Sequence, residues 1–127
     1  VGSDITEIRQ TQERLTHLAN MDVLSGLLNR GRVRQLLGEA LRAATTGNVP
    51  CAIMFLDLDG FKPVNDTFGH PKGDAVLQAV ARRLCDQVGP DGHVGRMGGD
   101  EFAIVIADAQ SRKTVEQLAD NIIWSII

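Results

Sequence analysis

The chain has 127 residues, 43% of them hydrophobic and 23% charged, with a net charge of −3. That length suits one small domain with a genuine core, and the composition is that of an ordinary soluble globular protein. The acidic balance argues against a general nucleic-acid grip, and no apolar run approaches the roughly 20 residues of a membrane span.

Asp4-Ile5-Thr6-Glu7 opens a polar helix that Asp4 or Thr6 could cap. Ile8, Thr11, Leu15 and Leu18 follow a 3-4-3 spacing, a thin coiled-coil-like seam too short for stable self-association. The helix, over residues 1–20, either lies on its own domain or is a connector from an upstream domain. Residues 22–29 break the pattern at Ser25-Gly26 and read as a structured loop. A second helix is expected over Arg32 to Ala44, with Val33, Leu36, Leu37, Ala40 and Leu41 on one face. A loop over residues 45–50 follows.

Cys51 to Leu58 reads as a strand apolar on both alternating faces, and so buried on both sides of a sheet. Residues 61–72 look irregular, with a turn over residues 69–73. A third helix is expected from Asp74 to about Asp86, with Val76, Leu77, Val80, Ala81 and Leu84 inward. Gly89-Pro90-Asp91-Gly92 is a turn. Val94-Gly95-Arg96 and residues 102–106 pair as a hairpin around Gly98-Gly99. Ser111 caps a last helix carrying Val115, Leu118, Ala119, Ile122, Ile123 and Ile126 as its apolar stripe. That helix has no C-terminal cap, so the domain is expected to be C-terminally incomplete. Cys51 and Cys85 lack metal-ligand spacing and read as reduced, buried thiols. With no visible secretory signal, they favour the cytoplasm.

The chemistry concentrates at the ends of the apolar strands. Arg96-Met97-Gly98-Gly99-Asp100-Glu101-Phe102 puts two glycines and two adjacent carboxylates ahead of a strand. Adjacent acids at a strand start repel unless a cation neutralises them, and magnesium with phosphate oxygens would do so. The same four residues from Gly98 to Glu101 also read as a plain hairpin turn. Asp57 and Asp59 end the first strand on one face, where they either hold a cation or are merely solvated. Backbone amides at Gly60-Phe61-Lys62 can cradle phosphates, with Lys62 adding a point charge. Asn65 and Asp74 flank the 69–73 turn. An amide and a carboxylate together can read the edge of guanine; equally, Asp74 reads as an N-cap and Asn65 as part of an Asx-turn. His70 alone is a common turn residue.

These residues, in this order, resemble the GGDEF domain family of bacterial diguanylate cyclases. The matching stretches are residues 22–30, 55–66, 69–74 and 96–102, four motifs in register, and the likeness runs from about Asp4 to the end. The resemblance implies an α+β domain over residues 21–127. Its expected architecture is a nucleotidyl-cyclase or ferredoxin-like sheet with helices packed on it and a GGDEF hairpin. Asp4-Ile5-Thr6-Glu7 is similar to the junction after a PAS sensor domain, which implies an upstream PAS-like sensor. A downstream phosphodiesterase domain is also compatible.

The family condenses two GTP into cyclic di-GMP with release of pyrophosphate, each subunit of a homodimer holding one GTP. The resemblance implies that Asp57, the Leu58 carbonyl and Asp100 hold Mg2+ or Mn2+. It implies that Asn65 and Asp74 read guanine with His70 nearby, and that Gly60, Phe61 and Lys62 contact phosphates. Asp100 or Glu101 would accept the proton of the attacking hydroxyl. The alternative is a catalytically inactive module that binds GTP or serves regulation and dimerisation. Two departures stand out. Gly89 and Gly92 replace the Arg and Asp of the family's product-inhibition site, and Arg83-x-x-Asp86 reads as a helical ion pair or a coincidence. The family's further strand beside the Asp57 strand, and a further helix, are missing from this sequence.

Overall fold

The structure, a computed structural model, describes residues 2–58 and 70–126, without the side chains of residues 2–6, 16–18 and 70. The expected positions Asp59, Gly60, Phe61, Lys62 and Asn65 lie outside the described residues. In chain order the elements are α1 (Gly2–Asn20), α2 (Arg30–Gly47), β1 (Ala52–Asp57), α3 (His70–Val88), a 3-10 turn (Gly89–Asp91), β2 (His93–Gly98), β3 (Glu101–Ile106) and α4 (Arg112–Ile126). The strands form an antiparallel sheet in the order β1-β3-β2. This is the expected α+β class, with helices packed on a sheet.

β3 is the centre. Phe102, Ala103, Ile104 and Val105 are all buried, alternating between two apolar layers. On one face Phe102 and Ile104 pack with Leu77, Leu84 and Ile122 from α3 and α4. On the other, Ala103 and Val105 pack with Val33 and Ala40 of α2. β1 departs from the expectation of full burial. Phe55 is 69% exposed, because α2 crosses β2 and β3 and leaves that part of β1 uncovered.

Helix boundaries moved for local reasons. α2 begins at Arg30 because the Asn29 side chain accepts from the Arg32 amide, and it runs to Gly47 because Asn48 takes the left-handed conformation (φ 56°) and donates to the Ala43 carbonyl. α3 begins at His70, not Asp74, so residues 70–73 are helical and Asp74 is not its N-cap. Pro71 lies within the helix and not in a turn. Ser111 caps α4 as expected, its hydroxyl accepting from the Thr114 amide at 3.1 Å.

Some expected core positions face outward. Leu41, Val76 and Ile123 are exposed, as are Ile8 and Leu15 of the α1 seam. Both cysteines are free, but Cys85 is exposed and Cys51 only half-buried, so neither is a fully buried thiol. Arg83 does not pair with Asp86; its guanidinium donates to the Ser125 carbonyl at 3.0 Å and ties α3 to α4.

Candidate active site at the acidic strand ends

Asp57 closes β1 and Glu101 opens β3, and the two strands pair in register so that Asp57 lies opposite Glu101. One residue further out, the Leu58 amide donates to the Asp100 carbonyl at 3.2 Å. Two acidic segments more than 40 positions apart in sequence thus meet through backbone hydrogen bonds. β2 and β3 are joined by the two-residue turn Gly99-Asp100, and Gly99 sits in the left-handed region (φ 49°), where a Cβ would be strained. The ladder skips a residue between Arg96 and Gly98, a bulge of the kind that re-aims side chains beside functional sites. Asp57 and Glu101 are exposed, while Leu58, Asp74 and Asp100 are half-buried.

Sequence reasoning missed the residues that hold this turn in place. Arg96 donates through Nε and Nη2 to the Gly99 carbonyl at 3.0 and 2.9 Å. Its Nη1 forms an ion pair with Asp22 at 3.3 Å. Asp22 also accepts from the Ser25 hydroxyl at 2.7 Å and the Ser25 amide at 2.9 Å. Burial alone would push the Asp22 carboxyl up. The Ser25 hydrogen bonds and the Arg96 charge outweigh burial and hold it below the usual carboxylate range. The residue 22–29 loop is therefore a bracket on the acidic hairpin. Leu28 extends the bracket by pairing beside Gly95, donating to the Val94 carbonyl at 3.2 Å and accepting from the Arg96 amide at 2.9 Å.

The oxygen donors that meet here suit a hard divalent cation, which prefers carboxylates and carbonyls. Among the described residues no cluster of three or more His, Cys, Asp or Glu side chains could hold a metal. What the structure brings together here is main chain, with Asp57 opposite Glu101 and Leu58 hydrogen-bonded to Asp100. Asp74 stands in the opening turns of α3, and its expected companion Asn65 lies outside the described residues.

Acidic residues thus lie at the adjoining ends of β1 and β3, beside the Gly99-Asp100 turn that joins β2 to β3, in an α+β domain. The family model "Diguanylate cyclase, GGDEF domain" matches residues 19–125, and the chain belongs to that family. It is 41% identical over 122 residues to the cyclic di-GMP phosphodiesterase PdeR of Escherichia coli K12, covering 96% of this chain and 18% of PdeR. It is also 41% identical over 112 residues to the diguanylate cyclase TpbB of Pseudomonas aeruginosa, covering 88% of this chain and 26% of TpbB. The chain thus spans about a fifth to a quarter of the curated relatives it matches. Among solved structures, the coiled coil and GGDEF domain of DgcB from Caulobacter crescentus, in complex with c-di-GMP, superposes with TM-score 0.90 at 29% identity, covering 95% of this chain and 63% of that one. The GGDEF domain of Pseudomonas aeruginosa TpbB superposes with TM-score 0.79 at 41% identity, covering 83% and 61%.

Proposed function

We propose that this chain is the nucleotide-binding part of a diguanylate cyclase, condensing two GTP into cyclic di-GMP and two pyrophosphates as a homodimer. The observation that supports the reading is the pairing of β1 with β3, which brings the backbone of residues 57–58 beside that of residues 100–101. In this reading Asp57, the Leu58 carbonyl and Asp100 hold Mg2+ or Mn2+. The cation, when bound, neutralises the triphosphate and lowers the pKa of an oxygen it polarises. Asp100 or Glu101 takes the proton from the 3′-hydroxyl of one GTP as that oxygen bonds to the α-phosphorus of the other, and pyrophosphate departs with its bonding electrons. Asn65 and Asp74 orient the guanine, with His70 beside them, and Gly60, Phe61 and Lys62 position the phosphates. Residues 1–20 serve as a connector from an upstream PAS-like sensor, and a phosphodiesterase domain downstream is compatible. No helix among the described residues is long and apolar enough to cross a membrane, and an intracellular nucleotide substrate fits the cytoplasm.

The kinship with PdeR favours a second reading, in which the domain binds GTP for regulation without turnover. Incubation with GTP and Mg2+, with products identified by mass, separates the two. The first reading expects cyclic di-GMP and pyrophosphate, and a loss of about 100-fold or more in Asp100→Ala. GTP binding without product would support the second reading and overturn the first.

A further inference from the structure

All four hydrogen-bonding groups of Asn29 are engaged, and they join two helices. Its Oδ1 accepts from the Arg32 amide at 3.0 Å, and its carbonyl accepts from the Val33 amide at 3.0 Å, starting α2. Its Nδ2 donates to the Ala19 carbonyl at 2.7 Å, and its backbone amide donates to the Asn20 carbonyl at 2.9 Å, ending α1. The chemistry fixes the orientation of the amide, since a carbonyl needs a donor and an N–H an acceptor. The last carbonyls of a helix have no partner within the helix, so Asn29 supplies what α1 lacks.

Among the described side chains of α1, those of residues 7–15 are exposed. The helix meets the domain at Asn29 and at the bridge between Met21 and Leu28. Leu28, next to Asn29, is hydrogen-bonded to Val94 and Arg96 of β2. Arg96 in turn grips the Gly99 carbonyl in the acidic turn.

We infer that Asn29 is a positioning residue, a double clamp that locks the exit of α1 to the arm of the acidic hairpin. A rotation or tilt of α1 is thereby transmitted to the Gly99-Asp100 turn. The clamp itself stands on the geometry, and only its consequence for turnover rests on the cyclase reading.

Asparagine-to-aspartate exchange separates the two halves of the clamp. In Asn29→Asp the carboxylate still accepts from the Arg32 amide, but it cannot donate to Ala19 and repels that carbonyl. In Asn29→Ala both side-chain bonds are lost. Amide hydrogen exchange reads each helix end. Asn29→Asp is expected to speed exchange at residues 17–21 by about tenfold, as loss of one such bond implies, while residues 32–35 stay within about twofold of wild type. Asn29→Ala is expected to speed both. Unchanged exchange at residues 17–21 in Asn29→Asp would overturn the clamp, as would equal loosening of α2 in the two variants. In turnover of GTP with Mg2+, Asn29→Asp is expected to lower kcat with KM for GTP unchanged, and a wild-type kcat would overturn the transmission. If the unmodified chain makes no product, the cyclase reading fails, and hydrogen exchange alone decides the clamp.

Discussion

Arg96 grips the acidic turn and Asp22 anchors Arg96, and the Asp22 and Arg96 side chains retain only 23% and 16% of their exposure. Removing Arg96 leaves the Gly99 carbonyl and a half-buried carboxylate without their charged donor. Arg96→Ala is therefore expected to cost about 1–3 kcal/mol in chemical denaturation, since unsatisfied groups cost about that much. Because the Asp22 carboxyl is lowered in the fold, the unfolded chain binds more protons where the two states differ. The stability Asp22 contributes is complete above the unfolded value near ~3.9 and is lost as pH falls through the lower folded value. Thermal unfolding of wild type and Asp22→Asn should thus differ most above about pH 5 and converge at strongly acid pH; a constant gap would contradict the assignment. Asp74→Ala is expected to reduce selectivity for GTP over ATP in competition binding, and an unchanged preference would remove Asp74 from guanine recognition. The acidic residues were legible because charge at the end of an apolar strand is conspicuous. The Asp22–Arg96 pair was not, because partners 74 positions apart carry no periodic signal.

Among the elements, β2 and α2 meet most closely at Gly95. A methyl group there would land on Val33 and lie 3.1 Å from the Leu28 carbonyl. Gly95→Ala is expected to destabilise by about 1–3 kcal/mol, the usual cost of overpacking, and a neutral result would mean that α2 can move aside. The strands and helices were legible from their periodicity, and the hairpin from its glycines. What failed were inferences from single residue types. Pro71 and Gly73 suggested a turn, yet both lie within α3, where Gly73 is buried. Phe55 suggested a buried strand face, but burial depends on which strands α2 crosses, and that is set by packing, not by the strand's own pattern. Gly89 opens the 3-10 turn and Gly92 follows it, so neither position can supply an arginine or a carboxylate. Cyclic di-GMP is accordingly expected not to inhibit turnover through a local Arg-x-x-Asp site. Strong inhibition abolished by Arg83→Ala would contradict this.

At the scale of the molecule, one antiparallel sheet brings the two acidic strand ends together, and the helices secure it from both faces. β1 borders the sheet among the described residues, the position that the family resemblance assigns to a neighbouring strand. α1 reaches the acidic end through residues 21–29. The proposal stands or falls on whether a cation and GTP settle between Asp57 and Asp100. Paramagnetic relaxation by Mn2+, added with GTP and observed at backbone amides across the chain, tests this most directly. Amides of residues 57–58 and 100–101 should broaden together and first, and Asp57→Ala or Asp100→Ala should abolish the effect. Broadening elsewhere, or at only one of the two strand ends, would contradict a shared metal and triphosphate site.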